Sequence, residues 1–173
     1  GDCDGMLHAI DATKGTPVWK CATNGDTITL GGEWYFDRKS ILGTVAVEDG
    51  LCVVGSRDGY VYAVDKANGK IQWSYNYDIT WVISSLAIKD NMVIAGTSDG
   101  KFINALDLHT GKELWRYKTR QIVWASPTII NDLVYLPSND GVMHILERAG
   151  GRQVSEYRTA EAGTAIFSSP VFT

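Results

Sequence analysis

The three histidines are the first candidates for acid–base or metal chemistry in this chain. His8, His109 and His144 lie far apart, and none belongs to a His-x-x-His or His-Glu pair, so a zinc site is unsupported. His8 and His144 share one position of a repeat described below, where another copy has Tyr62. A recurring position of this kind favours a half-buried structural role over a metal ligand.

Serine and glycine patterns point to no catalytic group. Serines recur at one position of the repeat, where they begin inner strands and are not isolated nucleophiles: Ser84-Ser85, Ser126-Pro127 and Ser168-Ser169-Pro170. The dipeptide Gly31-Gly32 alone is a weak phosphate-loop signal, since no Gly-Lys-Ser/Thr follows it. We therefore expect no catalytic residue, no bound metal and no cofactor.

Aromatic side chains are the stronger candidates, and they point to binding. Trp34, Tyr35 and Phe36 are consecutive and are followed closely by Arg38, within a segment that interrupts the repeat. Three aromatics beside mixed charge on a loop can form a binding surface. They can equally fold back onto a sheet edge as a lid, and the sequence leaves both alternatives open.

Composition bounds the class of protein. The chain has 173 residues, of which 45% are apolar and 21% charged, and these values are typical of one globular domain or part of one. The net charge of −4 argues against a general affinity for nucleic acid. No apolar run approaches 18 residues, so we expect no transmembrane segment.

The cysteine count leaves one pairing open. Three cysteines cannot all pair within one chain. Cys52 lies in an apolar run and is expected in the core. Cys3 and Cys21 flank one hairpin-like unit, and their spacing permits a disulfide without requiring one.

An internal repeat determines the expected fold. Three copies share the pattern Ala-x-Asp-x-x-x-Gly-x-x-x-Trp, at Ala9, Asp11, Gly15 and Trp19, at Ala63, Asp65, Gly69 and Trp73, and at Ala105, Asp107, Gly111 and Trp115. A fourth copy departs from it, with Glu147 for Asp and Ser155 for Trp, and Tyr157 is expected to take the place of the tryptophan in packing. The repeat glycines are 54, 42 and 40 residues apart. A period near 40 fits either paired helices or the blades of a propeller.

The local pattern favours propeller blades. Short β-rich runs are split by turn residues at Asp49-Gly50, Asp90-Asn91 and Asn131-Asp132, and each pair of runs meets a further Asp-Gly turn. Three turns in each repeat join four short antiparallel strands, and no helical period persists. The sequence therefore predicts an all-β protein, a β-propeller of four-stranded antiparallel blades with about four blades in this chain. The third copy has one extra residue before Asp107, which we interpret as a bulge in that strand.

The strand count predicts an incomplete ring. We expect a partial blade over 1–21, an insertion loop over 22–41, blades over 42–75, 82–117 and 124–158, and the first strand of a further blade over 165–173. These are fifteen strands in all. The chain is then part of a longer propeller, or a half that pairs with a copy of itself as a homodimer.

Each motif residue has an expected structural role. The aspartates accept hydrogen bonds from backbone N–H groups two or three residues on. The glycines supply positive φ, the alanines allow close approach, and the tryptophans pack between blades.

A second set of binding candidates follows from the propeller geometry. Inner strands line a central channel, and an aromatic and basic rim at its mouth can hold a ligand by stacking and cation–π contacts. Ordinary packing of the channel mouth is the alternative. Trp124 and Phe167 are rim candidates at the repeat position that Leu42 and Ile83 occupy in other copies. Trp81 and Arg120, which lie just before that position, complete the set.

The repeat motif resembles the tryptophan-docking motif of the PQQ-like repeat family, over nearly the whole chain. This family includes quinoprotein alcohol dehydrogenases, the propeller lipoprotein of outer-membrane β-barrel assembly, and propellers fused to bacterial kinases and hydrolases. The adjacent cysteine pair of the quinoprotein enzymes has no counterpart here. The resemblance implies a non-enzymatic binding or scaffold module in the periplasm or outside the cell, with a protein, peptide or glycan partner. A sensory or substrate-guiding domain of a longer kinase or hydrolase and a fragment of a PQQ-dependent dehydrogenase are the alternatives.

Overall fold

The computed structural model describes residues 1–30, 34–78, 80–159 and 164–171, with the backbone alone at 26–30 and 34–37. In these ranges the regular structure is entirely β. The strands are β1 (Met6–Ile10), β2 (Pro17–Ala22), β3 (Asp26–Leu30), β4 (Trp34–Arg38), β5 (Ala46–Glu48), β6 (Leu51–Gly55), β7 (Tyr60–Asp65), β8 (Ile71–Asn76), β9 (Ala87–Lys89), β10 (Met92–Gly96), β11 (Phe102–Asp107), β12 (Glu113–Lys118), β13 (Thr128–Ile130), β14 (Leu133–Pro137), β15 (Val142–Glu147) and β16 (Gln153–Arg158).

The strands form three four-stranded antiparallel sheets and two hairpins. Strands β5–β8, β9–β12 and β13–β16 are consecutive meanders, which we name blades A, B and C. The hairpin β1–β2 is a partial blade before blade A, and β3–β4 is a separate two-stranded sheet. The predicted all-β fold of four-stranded blades is therefore confirmed. No helix in the described ranges is long and apolar enough to cross a membrane.

The hydrophobic core lies between neighbouring blades. Val53 and Val61 of blade A are fully buried in one cluster with Val93 and Leu106 of blade B. A second cluster joins blades B and C, and a third joins the partial blade to blade A. Blades are thus held mainly by side chains that each sheet presents to the next.

The tryptophans of the repeat dock onto the following blade. Trp73 of blade A donates from Nε1 to the Leu108 carbonyl, 2.7 Å away, at the turn that closes β11 and β12 of blade B. Its indole covers Gly111, where an added Cβ would lie 2.6 Å from Cε3. Gly111 has φ +68°, so the residue lacks a side chain for both conformational and packing reasons. Trp19 and Trp115 make the equivalent bonds to Lys66 and Arg148.

The extra residue of the third copy lies in a turn, so the predicted bulge is wrong. Strand β11 pairs one-to-one with β10, and the shift at Ala105 recurs at the same place in every described blade. The turn that precedes β11 is longer instead, because the N–H of Thr97 bonds to the carbonyl of Phe102, five residues on. The matching bond in blade A joins Ser56 to Tyr60, four residues on. The longer turn includes Lys101, whose backbone adopts a left-handed conformation with φ +52°.

Tyr157 does not stand at the tryptophan position of the repeat, and its expected role in packing stays a prediction. It occupies the register position of Tyr75 and Tyr117, two residues beyond the tryptophan position, and its side chain is 66% exposed. Ser155, at the tryptophan position, is exposed.

The end of the chain keeps the contacts of an inner strand without forming one. The N–H of Ser126 donates to Ser169 Oγ at 2.9 Å, as the N–H of Ser85 does to Ser126 Oγ in the preceding blade. Residues 164–171 nevertheless form no strand, because no described strand pairs with them.

The three cysteines are free. Cys3 is exposed, whereas Cys21 and Cys52 are buried. The permitted pairing of Cys3 with Cys21 is not made.

Candidate functional site

One connection between blades is much longer than the others. The link from an outer strand to the next inner strand begins and ends at backbone hydrogen bonds that recur from blade to blade. In blade A the N–H of Tyr77 donates to the Gly59 carbonyl and the N–H of Val82 to the Ser56 carbonyl, and these donors are only five residues apart. Between the partial blade and blade A the matching donors are Thr23 and Ile41, 18 residues apart. The additional residues lie on the face that carries these links and the β6–β7 turn, which we name the upper face.

The inserted segment, expected as a loop over 22–41, contains the two paired strands β3 and β4. Asp26 pairs with Arg38, Ile28 with Phe36 and Leu30 with Trp34. Residues directly opposite in an antiparallel pair share a face, and neighbours along a strand alternate. One face of the hairpin therefore holds the positions of Asp26, Ile28, Leu30, Trp34, Phe36 and Arg38, and Tyr35 belongs to the other. The expected surface of three adjacent aromatics is divided between two faces.

The first end of the hairpin is bonded to blade A. The N–H of Asn24 donates to the Tyr62 hydroxyl at 3.0 Å, and the N–H of Gly25 donates to Asp58 Oδ2 at 3.1 Å. Tyr62 in turn donates its hydroxyl to the same Asp58 oxygen at 2.6 Å. Burial, and then this bond to Asp58, raise the pKa of Tyr62, so its hydroxyl remains a donor.

The second end is bonded through Arg38, which the sequence had placed among the binding candidates. Its side chain is only 4% exposed. Nε donates to the carbonyl of Arg57 at 3.2 Å, and Nη2 donates to the carbonyls of Asp58 and Asp78, the latter at 2.9 Å. Arg38 is therefore a buried contact of the protein with itself and not part of an open binding surface.

Of the four rim candidates, Trp124 and Phe167 are shown in contact with each other. The rings of Trp124 and Phe167 lie 5.6 Å apart, and they are 39% and 62% exposed. The guanidinium of Arg57 lies 4.3 Å above the ring of Trp81. Arg120 is exposed near His144.

Sequence reasoning missed Arg57, Asp58 and Tyr62. The Asp58-Gly59 dipeptide was visible only as a turn. The replacement of histidine by Tyr62 at its repeat position was the available signal, because a change at one copy marks a local difference in contacts.

The histidines differ in environment. His144 is buried in blade C, with Nδ1 3.2 Å from the Tyr117 hydroxyl and Nε2 3.9 Å from Asp140 Oδ1. Burial lowers the pKa of His144, and Asp140 opposes this shift. His8, at the equivalent position of the partial blade, is exposed and bonded to Asp2 at 2.6 Å.

One segment has the spacing of a nucleophilic serine but not its setting. Gly96-Thr97-Ser98-Asp99-Gly100 matches Gly-x-Ser-x-Gly, a pattern that places a nucleophile in a strand-to-helix turn. Here it joins two antiparallel strands, and Ser98 is 2% exposed with its N–H donated to the Trp81 carbonyl. In the described ranges no three His, Cys, Asp or Glu side chains group as metal ligands.

A family model described as "Outer membrane protein assembly factor BamB" matches residues 3–172, nearly the whole chain. The chain belongs to this family of PQQ-like propellers. An outer membrane protein assembly factor BamB from Burkholderia pseudomallei is 27% identical over 96% of this chain and 42% of its own length. The quinoprotein alcohol dehydrogenase PedE of Pseudomonas putida is 38% identical, but over only 40% of this chain and 11% of its own length.

A solved structure agrees in fold. BamB from Moraxella catarrhalis superposes with a TM-score of 0.70 at 22% identity, covering 91% of this chain and 44% of that one. The chain thus spans less than half the length of each of these three proteins. In sequence, the two BamB relatives from Burkholderia pseudomallei and Yersinia pestis match over 96% and 90% of the chain, whereas the match to PedE covers 40%. In structure, the quinohemoprotein alcohol dehydrogenase ADHIIG of Pseudomonas putida also covers 94% of the chain, with a TM-score of 0.69 at 18% identity.

Proposed function

We propose that this chain is a non-catalytic binding module of a PQQ-like propeller, and that it binds a protein partner through the β3–β4 hairpin on its upper face. The observation that carries the proposal is the hairpin itself. It is the place where a regular repeat is interrupted, and it pairs with none of the described blades. Departures from a repeat are where a scaffold can acquire a specific function.

The sequence of the hairpin suits protein recognition. Two aromatic positions, Trp34 and Phe36, share one face with Ile28 and Leu30. Large aromatic side chains contribute most of the binding energy in many protein interfaces. A protein partner is favoured over a peptide or a glycan because assembly factors are the relatives that match in sequence over nearly the whole chain.

The same relatives support a location in the periplasm or elsewhere outside the cytoplasm. Three alternatives remain: a sensory or substrate-guiding domain of a longer kinase or hydrolase, a fragment of a PQQ-dependent dehydrogenase, and a homodimer that completes a ring. The short coverage of the dehydrogenase matches in sequence counts against the second.

Photo-crosslinking at the hairpin tests the proposal. Benzoylphenylalanine is placed at position 34, 36 or 35 of the chain expressed in the source organism. Positions 34 and 36 should each give one protein adduct, and position 35, on the opposite face, should give much less. The adduct at position 36 should fall at least about fivefold with Trp34→Ala, since loss of a central aromatic typically costs more than 1 kcal/mol of binding.

A crosslinker at the channel rim tests the competing binding site. Benzoylphenylalanine at position 124 reports on the other candidate surface, which Trp124 forms with Phe167. Adducts at position 124 with none at 34 or 36 would transfer the proposed site to the rim.

A further inference from the structure

Both ends of the hairpin converge on one turn of blade A. The first end reaches Asp58 and Tyr62 through the N–H groups of Asn24 and Gly25. The second end reaches the same turn through Arg38. A two-stranded hairpin is marginally stable alone, so its position depends on how its ends are held.

Arg38 fits a prepared pocket of backbone acceptors. The carbonyls of Arg57 and Asp58 come from the β6–β7 turn, and that of Asp78 follows β8. A buried guanidinium is costly unless its N–H groups are paired, and here three carbonyls pair it. Gly59 provides the room, because an added Cβ would lie 2.6 Å from Arg38 Nη2 and 2.2 Å from the Asp78 carbonyl oxygen.

Asp58 joins the two ends through its carboxylate. The side chain is 3% exposed and accepts the N–H of Tyr60, the N–H of Gly25 and the Tyr62 hydroxyl. The carbonyl of the same residue accepts Arg38. One residue of blade A therefore contacts both ends of the insertion.

Blade C shows the same turn without an inserted segment. There the Asp140 carbonyl accepts Arg158 from its own outer strand, at 3.3 Å, and Arg158 is exposed. In blade A this acceptor is taken by an arginine of the insertion. The difference links Arg38 to the hairpin and not to the general design of a blade.

We propose that Arg38, Asp58 and Tyr62 form an anchor that fixes the hairpin on the upper face, and that Arg38 is a positioning residue for partner binding. The second half of this statement rests on the proposed function. The first half concerns only the protein itself. Arg38 then contributes to binding without touching the partner, by holding Trp34 and Phe36 in one place.

Amide hydrogen exchange of the whole chain measures the anchor directly. Arg38→Gln should raise exchange of the 26–38 amides about tenfold or more, because the hairpin loses its charge-assisted bonds. Blades B and C should exchange as before. Arg158→Gln is the matched control, since it removes an arginine from the equivalent carbonyl and should leave the hairpin unchanged.

Tyr62→Phe keeps the test decisive if Arg38→Gln perturbs folding of blade A. It removes a single hydroxyl that accepts the N–H of Asn24, and it should produce a smaller increase confined to the same amides. Arg38→Lys, which keeps the charge but not the forked geometry, should restore protection only in part. Unchanged exchange at 26–38 in both Arg38→Gln and Tyr62→Phe would overturn the anchor, as would an equal increase in blade B.

The two proposals fail in different ways. Faster hairpin exchange in Arg38→Gln, with no adduct from positions 34 and 36, overturns the binding proposal and leaves the anchor. Adducts at 34 and 36 with unchanged hairpin exchange overturn the anchor and leave the binding proposal. If both hold, Arg38→Gln should lower the adduct at position 36 at least about fivefold.

Discussion

Two glycines with the same backbone conformation should differ sharply in their tolerance of alanine. Gly15 and Gly111 occupy equivalent turns, with φ of +67° and +68°. Each donates its N–H to the backbone carbonyl of the aspartate four residues before it. An added Cβ meets nothing within 4 Å at Gly15, whereas at Gly111 it lies 2.6 Å from the ring of Trp73. The pair isolates tryptophan docking from backbone strain.

The expected magnitudes follow from these contacts. The left-handed conformation costs alanine about 1–2 kcal/mol at either site. At Gly111 the indole must also move, which breaks its 2.7 Å bond to the Leu108 carbonyl at about 1–3 kcal/mol. Full loss of the tryptophan's packing, about 3–5 kcal/mol, is the ceiling. Gly111→Ala should therefore lower the free energy of unfolding by about 2–4 kcal/mol more than Gly15→Ala does.

Urea denaturation followed by far-UV circular dichroism measures both values, and a double mutant tests their cause. With Trp73→Ala already present, alanine at 111 should cost only its backbone strain, about 1–2 kcal/mol. Equal losses in the two single variants, or additive losses in the double variant, would refute the docking explanation.

The remaining predictions concern a buried histidine and an exposed thiol. Burial lowers the pKa of His144 in the folded chain. As the pH falls, the unfolded chain therefore takes up a proton at this histidine near pH 6.5, before the folded chain does. The stability that the neutral histidine contributes is present above that pH and is lost as the pH falls through the folded pKa. The loss in urea midpoint between pH 7.5 and 5.5 should be smaller in His144→Gln, and the same loss in both proteins would contradict this. Under native conditions a thiol reagent should label Cys3 quickly and the two buried cysteines slowly, since burial raises the pKa of both buried thiols; Cys3→Ser should abolish the fast phase, and a fast phase that persists would disprove the assignment.

The repeat was readable from sequence because its residues act through local backbone geometry. Asp107 accepts the N–H groups of His109 and Thr110, and Gly111 completes the same turn. Turn chemistry of this kind depends on a few neighbouring residues, so its spacing survives in the sequence. The extra residue near Gly100 was misplaced because a longer turn and a strand bulge look alike in a one-dimensional alignment.

The sequence also located the interruption of the repeat but not its contacts. The aromatic run was visible, yet its division between two faces depends on the pairing of Leu30 with Trp34. Arg38 looked like an exposed charge because nothing local indicates that three distant carbonyls surround it. The pocket exists only after blade A has folded.

The sequence by itself determined the all-β fold, the four strands of each blade and the repeat motif that ends in tryptophan. Strand period, turn residues and repeat spacing are all properties of short segments. Only the tertiary structure decided which indole covers which glycine, where the hairpin ends are held, and why His144 and His8 differ. Most of these contacts join residues from 19 positions apart, as Arg38 and Arg57 are, to 47 positions apart, as Trp19 and Lys66 are. Contacts at such separations follow from how one blade packs against the next, which no local pattern encodes.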